Sequence, residues 1–117
     1  MRDYKKYTVW QKSHQFVLDI YKVTKLFPKE ELFGLTSQMR RSSSSIPTNI
    51  VEGAGRKGDK DFCRFLYIAF GSANEIEYQI ILSKDLDYMD NETASGLFFK
   101  IEEIKKMLNK LISTLEG

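Results

Sequence analysis

Apolar residues recur along this chain at intervals of three and four, and four stretches carry the pattern. The clearest is the last, where Leu97, Ile101, Ile104, Leu108, Leu111 and Leu115 are separated by Lys and Glu. That spacing predicts a helix over about 91–115 with one coiled-coil-like seam, and Asp90 or Asn91 is placed to cap its first free N–H groups. Upstream, Phe62, Leu66, Ala69, Ala73, Ile76, Ile80 and Ser83 predict a helix over about 59–87 with Asp59 as N-cap. It also carries Phe65, Ile68, Phe70, Tyr78, Ile81 and Leu82 off that stripe, so it needs cover on more than one side. The first helix spans about 9–27, with Trp10, Val17 and Tyr21 on one stripe and Phe16, Ile20, Val23 and Phe27 beside it. Pro28 suits the first position of a second helix reaching residue 52, with Glu30 and Glu31 at its positive end.

That second helix runs through an unusual stretch, RRSSSSIPTNIVEGAGRKG. Leu32, Leu35, Met39, Ser42 or Ser43, Ile46 and Ile50 keep the helical period through the serines, which a flexible linker has no reason to do. The serines therefore read as small positions on a packed helix. Pro47 lacks an N–H and crowds the Ser43 carbonyl, so a kink is expected near residues 43–47, with serine hydroxyls serving the freed carbonyl. Gly53 reads as a left-handed stop, and Gly55 and Gly58 as the turn that follows. Residues 53–58 match G-x-G-x-x-G, but a dinucleotide loop needs a preceding strand, and a helix precedes this one.

No strand-like alternation and no repeat appears, so four helices with short connections predict a single all-α domain over 1–117, an antiparallel up-down four-helix bundle. Hydrophobic residues at 42% and only two prolines argue for a folded chain. The N-terminal stretch is charged and aromatic and no apolar run is long enough to span a membrane, so a cytoplasmic protein without export or membrane contact is expected. Cys63 is the single cysteine and His14 the single histidine, which leaves no metal cluster, no nucleophile–base pair and no expected cofactor. Cys63 reads as a small core residue and His14 as a tucked or surface one. Ser72, Asn74 and Glu75 either face solvent or form a buried polar network that sets helix register, and the second role is favoured for Glu75.

Charge changes the picture more. Residues 1–58 hold 11 Lys/Arg and 5 Asp/Glu, a net of +6, while the rest of the chain is −4. Either the halves neutralise one another on packing, or one face is basic and suits a polyanion. Arg40, Arg41, Arg56, Lys57, Lys60 and Arg64 are the candidate phosphate contacts, and the last four are close enough in sequence to share one patch.

Four stretches, FP-x-x-E-x-x-G-L, Q-x-R-R, S-I-P-x-N-I-x-E-G and D-F-x-R-F-L-x-I-A-x-G-S-x-x-E, give the chain a likeness. It resembles the four-helix-bundle proteins encoded in intervening sequences of bacterial 23S ribosomal RNA genes, over nearly its whole length. It is also similar to the accessory variability determinants of diversity-generating retroelements. The resemblance implies a cyclic homopentamer, an association with nucleic acid in the second group, and no established catalytic activity. Ser42 and Val51 stand where such proteins commonly carry alanine. The expected function is thus a non-enzymatic homo-oligomer that binds RNA or DNA through a basic surface. The competing expectation is a scaffold for a protein partner, without nucleic acid.

Overall fold

The computed structural model describes residues 2–117, and its order is all-α, with no strand among those residues. Four helices, α1 (Thr8–Thr24), α2 (Leu35–Ala54), α3 (Asp59–Asp85) and α4 (Asn91–Glu116), form an elongated body of 43 × 24 × 20 Å. Each helix packs against two others, α1 on α2 and α4, α3 on α2 and α4. Their inward stripes meet in one core: Phe16 and Ile20, Met39, Ile46 and Ile50, Phe62, Leu66, Ile76 and Ile80, then Ile101, Ile104 and Leu108, all essentially inaccessible to water. The heptad-like spacing in the sequence is what brings these residues to one side of each helix.

The second helix starts later than its apolar period implies. Lys29–Glu31 form a single 3-10 turn after Pro28, and α2 opens only at Leu35. The Glu31 carboxylate explains the delay: Oε1 accepts the Leu35 N–H at 3.1 Å and Oε2 accepts the Tyr88 hydroxyl at 2.8 Å. Glu31 thus caps α2 from outside it and ties the cap to the α3–α4 connection. A Cβ at Gly34 would lie 2.8 Å from that same Oε1 and displace it. The run Phe27–Leu35 is therefore a cap built from a buried ring, a turn and a carboxylate.

Pro47 lies inside α2, which is continuous through it. The serine hydroxyls turn to carbonyls other than the one Pro47 frees, Ser43 donating to Arg40 O and Ser44 to Arg41 O, both at 3.2 Å. Ser42 and Ser43 are buried, as small positions on a packed face should be. Ser42 donates across to Gln79 Oε1 at 2.6 Å, Ser72 to Ser45 Oγ at 2.8 Å, and Asn49 Nδ2 to Ser45 O at 2.8 Å. This α2–α3 network contains Ser72 and Gln79, whereas Asn74 and Glu75 point outward and form none of these bonds. The structural role expected for Glu75 is thus filled by Gln79, which sits one helical turn further along α3 on the inward face.

Gly53 also differs from expectation. It is helical, no glycine has a positive φ, and α2 continues to Ala54 with Gly55 as its right-handed C-cap. The reason for glycine is space: a Cβ at residue 53 would lie 2.8 Å from Phe62 Cδ1 and 2.8 Å from Phe65 Cβ. The left-handed stop belongs instead to Asp87, φ 61°, after which the Tyr88 N–H reaches back to Ser83 O at 2.9 Å and closes α3. At the other end of α3 the N-cap position is Gly58, one residue before the expected Asp59. Asp90 caps α4, accepting the Thr93 N–H at 2.8 Å.

Gly53→Ala gains helix propensity but overpacks two aromatic side chains, so it should destabilise by about 1–2 kcal/mol, read as a lower urea midpoint. Gly71→Ala, with nothing within 4 Å of the added carbon, should stabilise by about 0.5–1 kcal/mol. The Leu35 N–H and then the Tyr88 hydroxyl hold the Glu31 carboxyl below its ordinary range, and the same bond raises Tyr88. A depressed folded pKa contributes stability above the unfolded value and loses it as pH falls through the folded one. Glu31→Gln should therefore flatten the fall in thermal midpoint below about pH 4.3, leaving the share due to Asp90, which its Thr93 bonds depress in the same way.

Candidate nucleic-acid interface

Four of the six candidate cations gather where α2 turns into α3. The turn is tight because the Gly55 N–H bonds back to Val51 O and Glu52 O, both at 3.3 Å, and Arg56 N to Gly53 O at 3.1 Å. Arg2 fastens it from outside, donating to Arg56 O at 2.6 Å, Ala54 O at 3.3 Å and Asp59 Oδ1 at 2.6 Å, with its guanidinium 4.6 Å from the Phe62 ring centre. Nothing in the sequence marks a contact between residues so far apart, and Arg2 escaped the sequence reading.

Arg56 and Arg64 both lie over the Phe65 ring, at 4.8 and 4.6 Å from its centre. Asp61 stands between them, 3.7 Å from Arg56 Nε and 3.0 Å from Arg64 Nε, and Glu52 adds a second contact to Arg56 at 3.7 Å. These exposed pairs contribute little to stability, but they partly neutralise both arginines. Lys57 and Lys60 are exposed and form no salt bridge among the described residues.

Beside the turn an open cleft of about 950 Å³ runs toward the end of α4, lined by Gly58, Lys60, Asp61, Cys63, Arg64, Tyr67, Leu115 and Glu116. Lys60, Arg64 and Tyr67 share this side because positions i, i+4 and i+7 fall on one helix face. That spacing was legible, yet Tyr67 was not singled out. Its hydroxyl donates to both Glu116 carboxylate oxygens, at 3.2 and 3.1 Å, which raises the Tyr67 pKa and fixes a half-exposed ring. Cys63 is buried in the cleft wall, and burial pushes its thiol pKa up, the opposite of an activated nucleophile.

Arg40 and Arg41 are elsewhere, Arg41 being about 20 Å from the turn along α2. Arg40 closes the α1–α2 contact: Nε donates to Thr24 Oγ1 at 3.0 Å, Nη2 to Tyr21 O at 3.4 Å, and its guanidinium lies 4.6 Å from the Tyr21 ring centre. Arg41 lines a separate polar groove of about 660 Å³ between α2 and α3, together with Ser44, Ser45, Ser72 and Glu75. His14 is exposed and stacks on Trp10, ring centres 5.5 Å apart. Among the described residues no group of three His, Cys, Asp or Glu could hold a metal, and no helix is long and apolar enough to cross a membrane.

Comparison with known proteins follows this geometry closely. A crystal structure of a protein of unknown function from the S23 ribosomal protein family of Bacteroides thetaiotaomicron superposes with a TM-score of 0.83 at 32% identity, covering 90% of this chain and 95% of that one. No curated protein matches. The model of the 23S rRNA-intervening sequence protein family matches residues 5–110, which takes in the α2–α3 turn, the serine-rich interface and most of α4. The chain belongs to the 23S rRNA-intervening sequence protein family.

Proposed function

We propose that this protein is a non-enzymatic, cytoplasmic, antiparallel four-helix bundle that assembles as a cyclic homopentamer and binds RNA or DNA at the α2–α3 end. The observation that carries the binding site is the pair of unpaired lysines, Lys57 and Lys60, next to the two arginines stacked on Phe65. Free ammonium groups on a tight turn and on the first turn of α3 are suited to phosphate oxygens, and a guanidinium already held on a ring loses little freedom on contact. The antiparallel order is supported by partners that run in opposite directions, Met39, Ser42 and Ser45 meeting Ser83, Gln79 and Ser72. Assembly is supported by Ile68, Tyr78 and Ile81, which α3 leaves exposed on its outer side. Closing such a face onto a second copy around a ring buries it in every subunit.

Multiplicity matters to the affinity. Two free lysines on one chain give a weak site, whereas five copies around a ring offer a long polyanion many phosphate contacts at once. The second reading, a scaffold for a protein partner, draws on that exposed α3 face and needs no free cations.

Light scattering should give a mass near five times 13.6 kDa. Long RNA should bind at about 50 mM salt and weaken steeply toward about 200 mM. Lys57→Ala with Lys60→Ala should leave the mass unchanged and reduce the salt slope by roughly 1.4 per engaged protomer on single strands. An unchanged slope removes the turn from the interface, and a pentamer that ignores nucleic acid at low salt favours the scaffold.

A further inference from the structure

Charge alone is a poor account of the cleft at the α2–α3 turn. Arg2, Arg56 and Arg64 are already paired with Asp59, Glu52 and Asp61, so a phosphate arriving here meets carboxylates as well as cations. With only Lys57 and Lys60 free, a single cleft should release about 1.4 counterions from a single strand, a small electrostatic gain. Yet the cleft is large, about 950 Å³, and its walls are mostly apolar: Tyr67, Leu115 and the Cys63 side chain. A duplex, whose bases are buried in the stack, has no use for such a wall, because its outer surface is phosphate and sugar. An unstacked base has, since every base offers an apolar face to an aromatic ring.

Resting on the nucleic-acid reading above, we propose that this cleft receives an unstacked base of single-stranded nucleic acid, with the ring of Tyr67 as the stacking platform and Lys60 and Lys57 on the adjoining phosphates. Tyr67 suits that role because its hydroxyl is anchored on Glu116 while its ring is 53% exposed. Its rotamer is fixed before the ligand arrives, which lowers the entropic cost of stacking. Asp61 and Glu116 at the edge of the cleft repel phosphates but accept hydrogen bonds from exocyclic amino and imino groups. The cleft thus favours a base pointing inward and a backbone kept outside on the lysines.

The test uses the full chain, with hexauridylate, a duplex of the same length and inorganic tripolyphosphate as probes, read by calorimetry at about 50 mM salt. Cys63, the only cysteine, serves as a second reporter through its rate of reaction with a disulfide reagent. Hexauridylate should bind more tightly than the duplex or tripolyphosphate and slow the Cys63 reaction. Tyr67→Leu should weaken it by about tenfold or more, while Tyr67→Phe, which keeps the ring, should retain most of the affinity. Tyr67 is half exposed, so both variants should fold, and circular dichroism checks this. Duplex binding as tight as the single strand, or an unchanged affinity in Tyr67→Leu, overturns the stacking site while leaving nucleic-acid binding standing. Absence of binding by both nucleic acids overturns the two readings together.

Discussion

The close approach of α2 to α3 is the constraint on which the rest of this molecule depends. At residue 53 there is no room for a single methyl group between the helices, and further along the same contact the small Ser42 and Ser45 meet Gln79 and Ser72 of α3. Small residues bring backbones together but bury little apolar surface, so the interface holds itself with hydrogen bonds, Ser42 to Gln79 and Ser72 to Ser45, while Asn49 supports Ser45 from its own helix. Such bonds are worth roughly 0.5–1.5 kcal/mol each when satisfied, and losing one partner of the buried Ser42–Gln79 pair costs more than that. No buried side-chain nitrogen or oxygen among the described residues lacks a partner. The contact therefore sets the register of the two helices and, through it, the position of the turn that joins them.

From that register the candidate site follows. Because Gly53 lets Phe62 and Phe65 lie against the end of α2, the Phe65 ring is held where Arg56 from the turn and Arg64 from α3 can both cover it. Arg2 then secures the turn by its carbonyls, by Asp59 and by lying over the Phe62 ring. The site is thus built on two helix ends whose spacing is fixed by absent atoms. A bulkier residue at 53 would move the cations as well as weaken the core.

Helix existence was legible because it rests on a short-range period, and the core stripes of α3 and α4 could be named from spacing alone. What the sequence hid were roles that depend on a neighbour. Glycine reads as a stop when only its own backbone is considered, but Gly53 is there for the rings of α3, whereas the left-handed position that ends α3 is filled by an aspartate. Pro28 signals a helix start, yet the cap that begins α2 is Glu31, held by a tyrosine 57 residues away. The cations suffered the same ambiguity: Arg40 and Arg41 line one small groove beside Tyr21, but the helical rotation of about 100° per residue turns the Arg40 guanidinium onto α1 and lets Arg41 also reach the polar groove.

The balance of charge at the α2–α3 turn bears on the proposed binding of a polyanion there. A strongly basic surface binds any polyanion and gains affinity without discrimination. Here Glu52, Asp59 and Asp61 take up three arginines, which keeps those guanidinium groups ordered and lowers the non-specific attraction of the whole end. Under the proposed assembly, affinity would come from features that repeat, two free lysines and one fixed aromatic ring per chain, and repetition around a closed ring would multiply weak contacts only for a ligand long and flexible enough to reach several of them. In that proposed ring a short rigid duplex would engage one or two turns, while a single strand could follow the circumference. Neutralising acids and the proposed ring symmetry would act in the same direction, each favouring an extended, unpaired chain over a compact polyanion.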